Sequence, residues 1–174
     1  FGYKIADEIR KNLITLWNTH SFFITYAKLD DFNPHLSTIY DCNLTDIDKW
    51  ILAKMNNFIK ESKNLYEHFE LYKLMKISSE ILDDISNWYV RRNRRRFWKS
   101  ENDDDKLSAY HTLYATLLNY IKIMSPVIPF ISDKIYQNLV CEIDDKAPKS
   151  IHLTDFPVYN QDIDNTAIIQ DIDT

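Results

Sequence analysis

One glycine in 174 residues, Gly2, leaves this chain few ways to turn its backbone sharply. Two-residue hairpins, phosphate-cradling loops and dinucleotide-binding turns all place glycine where φ is positive or where the backbone must approach a ligand closely. Their absence argues for long helices joined by polar connections, and against a Rossmann or P-loop enzyme. With 45% hydrophobic and 14% aromatic residues the chain can bury a proper core, so disorder throughout is not expected. No apolar run is long enough to span a membrane, and no signal peptide is recognisable. Cys42 and Cys141 have no metal-ligand spacing and are expected as reduced thiols of a cytoplasmic protein. The chain opens on Phe1 rather than Met, which is expected of a segment of something longer.

Helical periodicity runs through most of the sequence. A first helix is expected from Tyr3 to about Ala27, carrying Ile5, Ile9, Leu13, Leu16, Trp17, Phe23 and Ile24. Trp17 is expected in the core. Asn33-Pro34 breaks the pattern, because the residue before proline is pushed out of the helical region. Thr45 or Asp46 caps a second helix with Asp48 in its first turn, and its stripe reads Ile47, Trp50, Ile51, Met55, Phe58, Ile59. A third helix is expected from Leu71 to about Phe97. A fourth starts at the acids Asp103, Asp104 and Asp105, and a fifth follows the Ser125-Pro126 break with Pro129 in its first turn. Tyr110, Tyr114 and Tyr120 are expected to be packing residues of the fourth, with their hydroxyls at the rim. These elements predict an all-α, antiparallel bundle of four to five helices over residues 1–146. A short extended strap and an acidic tail follow over 147–174, where the sequence leads toward a further C-terminal region.

The net charge of −5 is unevenly spread. Asp162, Asp164, Asp171 and Asp173 fall in the last fifteen residues with no base among them, whereas six bases and no acid lie between Asp84 and Glu101. Distribution, more than the sum, decides what a surface attracts. At about 100° per residue, Ile77, Ile81, Ile85 and Trp88 share one face of the third helix, and Arg92 and Arg95 continue it. Those two arginines are therefore expected to be structural, with Arg91 and Arg94 on one flank and Arg96 on the other. Arginine binds phosphate with a planar fork and stacks on bases, and Tyr89, Phe97 and Trp98 interleave the charges here, a mix suited to single-stranded RNA. The competing reading is a solvated basic face paired to nearby acids.

Several stretches resemble the anticodon-binding helical domain of class I isoleucyl-tRNA synthetases. They are "DEIRKNLITLWNTHSFFITYA" (7–27), "DIDKWILAKMN" (46–56), "LDDISNWYVRRNRRRFW" (82–98), "PVIPFISDKIY" (126–136) and "SIHLTDFP" (150–157). The third is the most specific. The resemblance implies that the parent chain joins isoleucine to its tRNA using ATP and Mg, while this segment lacks the HIGH and KMSKS motifs and any catalytic residue or cofactor of its own. It further implies an isoleucine-specific tRNA and the rest of the parent synthetase as partners, with no membrane. Asn18 stands where class I relatives often have an asparagine facing the anticodon loop. The methionyl branch has an arginine one turn later, where this chain has Phe22, a candidate for base stacking. Lys11, Arg91, Arg94, Arg96, Trp98 and Lys99 complete the expected tRNA-binding set, with His20 and Arg10 as weaker candidates. The alternatives are the same module of a valyl or leucyl synthetase, or a helical protein-interaction domain that docks an acidic partner through its basic helix. No two of His20, His35, His68, His111 and His152 are spaced as a metal pair, so no metal is expected.

Overall fold

In the computed structural model, residues 3–99 and 103–160 are described, and the acidic end of the chain from 161 onward lies outside them. The described residues form α1 (Tyr3–Leu29), α2 (Asp46–Glu67), α3 (Leu71–Asp83), α4 (Arg91–Trp98), α5 (Asp104–Met124) and α6 (Pro129–Tyr136). A π-helical segment, Asp84–Val90, joins α3 to α4 without a break, and a second, Gln137–Cys141, extends α6. The described residues therefore make five rods, within the four to five that the periodicity predicts.

Each boundary has a local cause. Thr45 precedes α2, and its N–H and hydroxyl both donate to the Asp48 carboxylate at 2.9 and 2.7 Å, a box that closes the first turn. Asp103 caps α5 by accepting from the Lys106 N–H at 2.8 Å. Pro129 occupies the first turn of α6. At the ends of α1 and α2 glycine would be usual, but the chain has none there. Asp31 (φ 52°) and Phe69 (φ 57°) take the left-handed position instead. The N–H groups of Phe32 and Glu70 then reach back to the carbonyls of Ala27 and Leu65 at 2.8 and 2.9 Å. Phe69 is 89% exposed, so it contributes strain without packing. Phe69→Gly is expected to raise stability by about 1 kcal/mol, read as a higher denaturant midpoint at unchanged slope.

Rods consecutive along the chain alternate in direction, which leaves α2 parallel to α5, and a few contacts fix the register. The Tyr89 hydroxyl donates to Asp48 at the start of α2 and approaches the Ala109 carbonyl at the start of α5 (2.6 and 3.4 Å), while the Tyr66 hydroxyl joins the far ends of the same helices through the Ile123 carbonyl at 2.7 Å. α1 runs parallel to residues 71–98, because Asn12 meets Ser79 and Phe22 meets Phe97. One end of the bundle thus collects the close of α1, the starts of α2 and α5, and all of α4. The core between the rods includes Leu16, Phe23, Trp50, Phe58, Ile85, Leu113, Leu117 and Ile135.

The strap departs from its expected shape. A single 3-10 turn, Ile151–Leu153, interrupts it between the extended residues Ser150 and Thr154. Ile151 is buried, and Ser150 and the Ile151 N–H both donate to Asp133 of α6. The strap is then pinned to α2 by Asn56, whose side chain donates to the Asn160 carbonyl and accepts from its N–H (2.7 and 2.9 Å).

Candidate nucleic-acid interface

The π-helical segment decides which arginines face outward. Ile81, Ile85, Tyr89, Asn93 and Phe97 are all buried, a strict four-residue repeat. In an α-helix such a repeat drifts about 40° per step and would leave the core within a few turns. The wider turn at Asp84–Val90 takes up the drift and moves the inward positions one residue later than an unbroken α-helix would have them. This corrects the arginine assignment. Arg92 and Arg95, expected to be structural, are exposed, while Arg96, expected at the RNA, turns inward.

Arg96 is the centre of an internal polar network. Its two terminal nitrogens grip the fully buried Asp48 carboxylate at 2.8 and 2.9 Å. They also donate to Asn93 Oδ1, the Asp105 carbonyl and Ser108 Oγ at 2.9, 2.8 and 2.6 Å. Nε lies 2.8 Å from Asp105 Oδ1, close enough for an ion pair but off-line for a hydrogen bond. Burial alone would push the Asp48 carboxyl up. Hydrogen bonds from Arg96, Tyr89 and Thr45, with the Arg96 charge, outweigh it and hold the group below the usual carboxylate range. Burial, and then Asp48, push the Tyr89 hydroxyl well above its ordinary value, so it remains a donor.

A second cluster secures the end of α4. Lys106, 2% exposed, places Nζ 2.5 Å from Asp30 just beyond α1 and donates to the Lys99 carbonyl at 2.8 Å. Tyr110 donates to the same Asp30. Lys99, another expected RNA contact, instead pairs with Asp103 and Asp105 at 2.7 and 2.8 Å. Phe22, the candidate stacking residue, is half-buried and packed against the core. Its ring packs edge-on against Phe97 (5.3 Å) and beside Tyr26 (4.9 Å), because it sits on the α1 face turned toward α4. His20 is buried as well, near Asn138 (3.2 Å), and burial lowers its pKa to about 4.

What remains outside is cationic. Arg91, Arg95 and Trp98 fall at i, i+4 and i+7 along the outward stripe of α4, and Trp98 is 56% exposed. Arg94 is also exposed, one turn before the Phe97 that meets Phe22; exposed Asn18 is one turn before Phe22 on the parallel α1. Among the described residues no carboxylate pairs with Arg91, Arg92, Arg94 or Arg95, whereas the nearby acids Asp48, Asp103 and Asp105 are taken by Arg96 and Lys99. An open recess of about 460 Å³ lies between Arg95, Arg96, Trp98, Lys99 and Asp105. Trp17, expected in the core, is 39% exposed on α1 beside Asn18. Lys11 is exposed two turns earlier, and Arg10 pairs with Asp7 at 3.4 Å. The role of Asp48 was only half visible in the sequence: the Thr45–Asp48 spacing announces a cap, but not the arginine 48 residues away that shares it.

The family model described as the anticodon-binding domain of tRNA ligase matches residues 48–174. Among curated relatives, the isoleucine--tRNA ligase of Dehalococcoides mccartyi (strain CBDB1) is 42% identical over 159 residues, covering 91% of this chain and 16% of the relative. The isoleucine--tRNA ligase of Clostridium novyi (strain NT) is 42% identical over 157 residues, covering 90% and 15%. That of Clostridium acetobutylicum is 38% identical over 169 residues, covering 97% and 16%. The chain spans about a sixth of the length of the curated relatives it matches.

Proposed function

Since the chain belongs to the anticodon-binding domains of tRNA ligases, we propose that it holds the anticodon arm of isoleucine tRNA for a longer ligase that attaches isoleucine to that tRNA in the cytoplasm. ATP and Mg serve the catalytic part of that ligase, and this bundle supplies grip and position. The names of the relatives support isoleucine as the amino acid.

The observation that carries the reading is the division among the arginines. Arg96 is locked inside by Asp48, which makes α4 a fixed platform, and Arg91, Arg94 and Arg95 face solvent with no carboxylate partner among the described residues. Unpaired guanidinium groups on a rigid helix bind phosphate oxygens with little reorganisation, and these contacts set register without reading sequence. Trp98 and Asn18 flank them with a stacking surface and an amide able to meet a base edge.

A titration at controlled salt against isoleucine tRNA, an anticodon-swapped version and an unrelated tRNA tests this. Tightest binding to the native anticodon is expected, with the preference worth about 1–3 kcal/mol per base stacked or read. Equal binding to all three would reduce the bundle to a backbone clamp. No binding even at low salt would overturn the reading in favour of docking to an acidic protein partner.

A further inference from the structure

On the α2 side of the cationic helix, Trp88 and Arg92 form a pair that the phosphate-binding account does not use. They sit at i and i+4 across the junction of the π-helical segment and α4. The guanidinium carbon of Arg92 lies over the Trp88 ring, 4.0 Å from its centroid. Trp88 in turn rests against the fully buried Trp50 of α2, with ring centroids 6.2 Å apart. Lys54 covers the Trp50 ring at 5.2 Å and pairs with Asp84 at 3.3 Å. The indole beneath Arg92 is thus held from behind by the core.

An arginine on such a support differs from its neighbours. Its fork is already flat and oriented, so little rotamer freedom remains to be lost on binding. The indole lies against one side of the guanidinium, whose carbon is 4.0 Å from the ring centroid. The other is free to receive a planar partner, since Arg92 is exposed and no carboxylate claims it among the described residues. Guanidinium planes stack on unpaired bases, and the adjoining indole adds to the attraction. A residue that only neutralised phosphate would gain nothing from this arrangement.

We infer that Trp88 and Arg92 form a stacking platform for one unpaired nucleobase of the bound RNA, separate from the outward stripe of Arg91, Arg95 and Trp98. The inference rests on the RNA-binding reading above. The base enters from the loop, as a paired base would have to leave its helix to stack there. The platform recognises a π-face and not a particular base, so it adds affinity for an open loop more than it selects a sequence.

The experiment compares the unaltered chain with Arg92→Lys and Trp88→Phe. The ligands are an isolated anticodon stem–loop of isoleucine tRNA and the same stem closed as a blunt duplex without a loop. Arg92→Lys keeps the charge but removes the plane. It is expected to weaken stem–loop binding by about tenfold while leaving duplex binding and the salt dependence of both unchanged. Trp88→Phe keeps an aromatic support and retains most of the affinity. A 2-aminopurine placed in the loop should change its fluorescence on binding the unaltered chain and change it less on binding Arg92→Lys. Stem–loop affinity of Arg92→Lys equal to that of the unaltered chain overturns this inference alone. Failure of the unaltered chain to bind either RNA overturns both this inference and the reading beneath it.

Discussion

Arg96→Ala is expected to lower the stability of the bundle by about 3–5 kcal/mol, whereas Arg95→Ala, one residue away, stays within about 0.5 kcal/mol. The difference follows from where the helix turns. Arg95 projects into water and leaves nothing unpaired when truncated. Arg96 supplies both charge-assisted bonds to a carboxylate with no access to solvent. Without it Asp48 keeps Tyr89 and Thr45 as donors, but its charge is buried with no counter-ion. The Asp105 carbonyl and the Asn93 side chain are deprived of a donor at the same time. For a chain of this size each kcal/mol moves the midpoint by about 2–4 °C, so thermal unfolding should place Arg96→Ala roughly 6–20 °C below the parent. A fall of less than about 1 kcal/mol would mean that the network is looser than its distances imply.

Replacing Arg91, Arg94 and Arg95 together with Ala is expected to have the opposite profile. The three residues are exposed and pair with no carboxylate among the described residues, so melting should be nearly unchanged, and removal of like charges on one short helix relieves a small repulsion. RNA affinity at low salt should fall roughly a hundredfold, since each arginine–phosphate bond is worth about 1 kcal/mol. The dependence of log K on log salt should flatten by about 2–3, since each neutralised phosphate contributes roughly 0.7–0.9 to the slope. Discrimination between native and swapped anticodons should survive in ratio, because phosphate contacts position the RNA and base contacts specify it. A large drop in affinity at unchanged slope would point instead to stacking or base-edge contacts by these arginines.

Much of this was legible in the sequence, for identifiable reasons. The scarcity of glycine and the 3.6-residue periodicity announce a bundle of four to five rods, and the local chemistry of Thr45, Asp103 and Pro129 marks where three of them start. Caps are readable because they depend on residues three or four positions apart. The arginine register was not readable. Projection on an α-helix puts Arg92 and Arg95 under the apolar stripe, and a single wide turn at Asp84–Val90 exchanges their places with Asn93 and Arg96. Nothing local in "DDISNWYV" distinguishes such a turn from an ordinary one, because it is settled by the rods packed around it. Trp17 was misplaced for a related reason. On a helix with partners on several sides, spacing alone does not say which aromatic meets Phe97 and which faces water. Lys106 shows the same limit, since its burial depends on Asp30, which lies 76 positions earlier.

The central claim is that Arg96 builds the platform while the arginines beside it hold RNA. The most direct measurement is the affinity of Arg95→Ala for the anticodon stem–loop of isoleucine tRNA at fixed low salt, taken alongside its melting temperature. Weaker binding with a flatter salt dependence and an unchanged melting temperature is the predicted result. Unchanged affinity and salt dependence in Arg95→Ala would contradict the account.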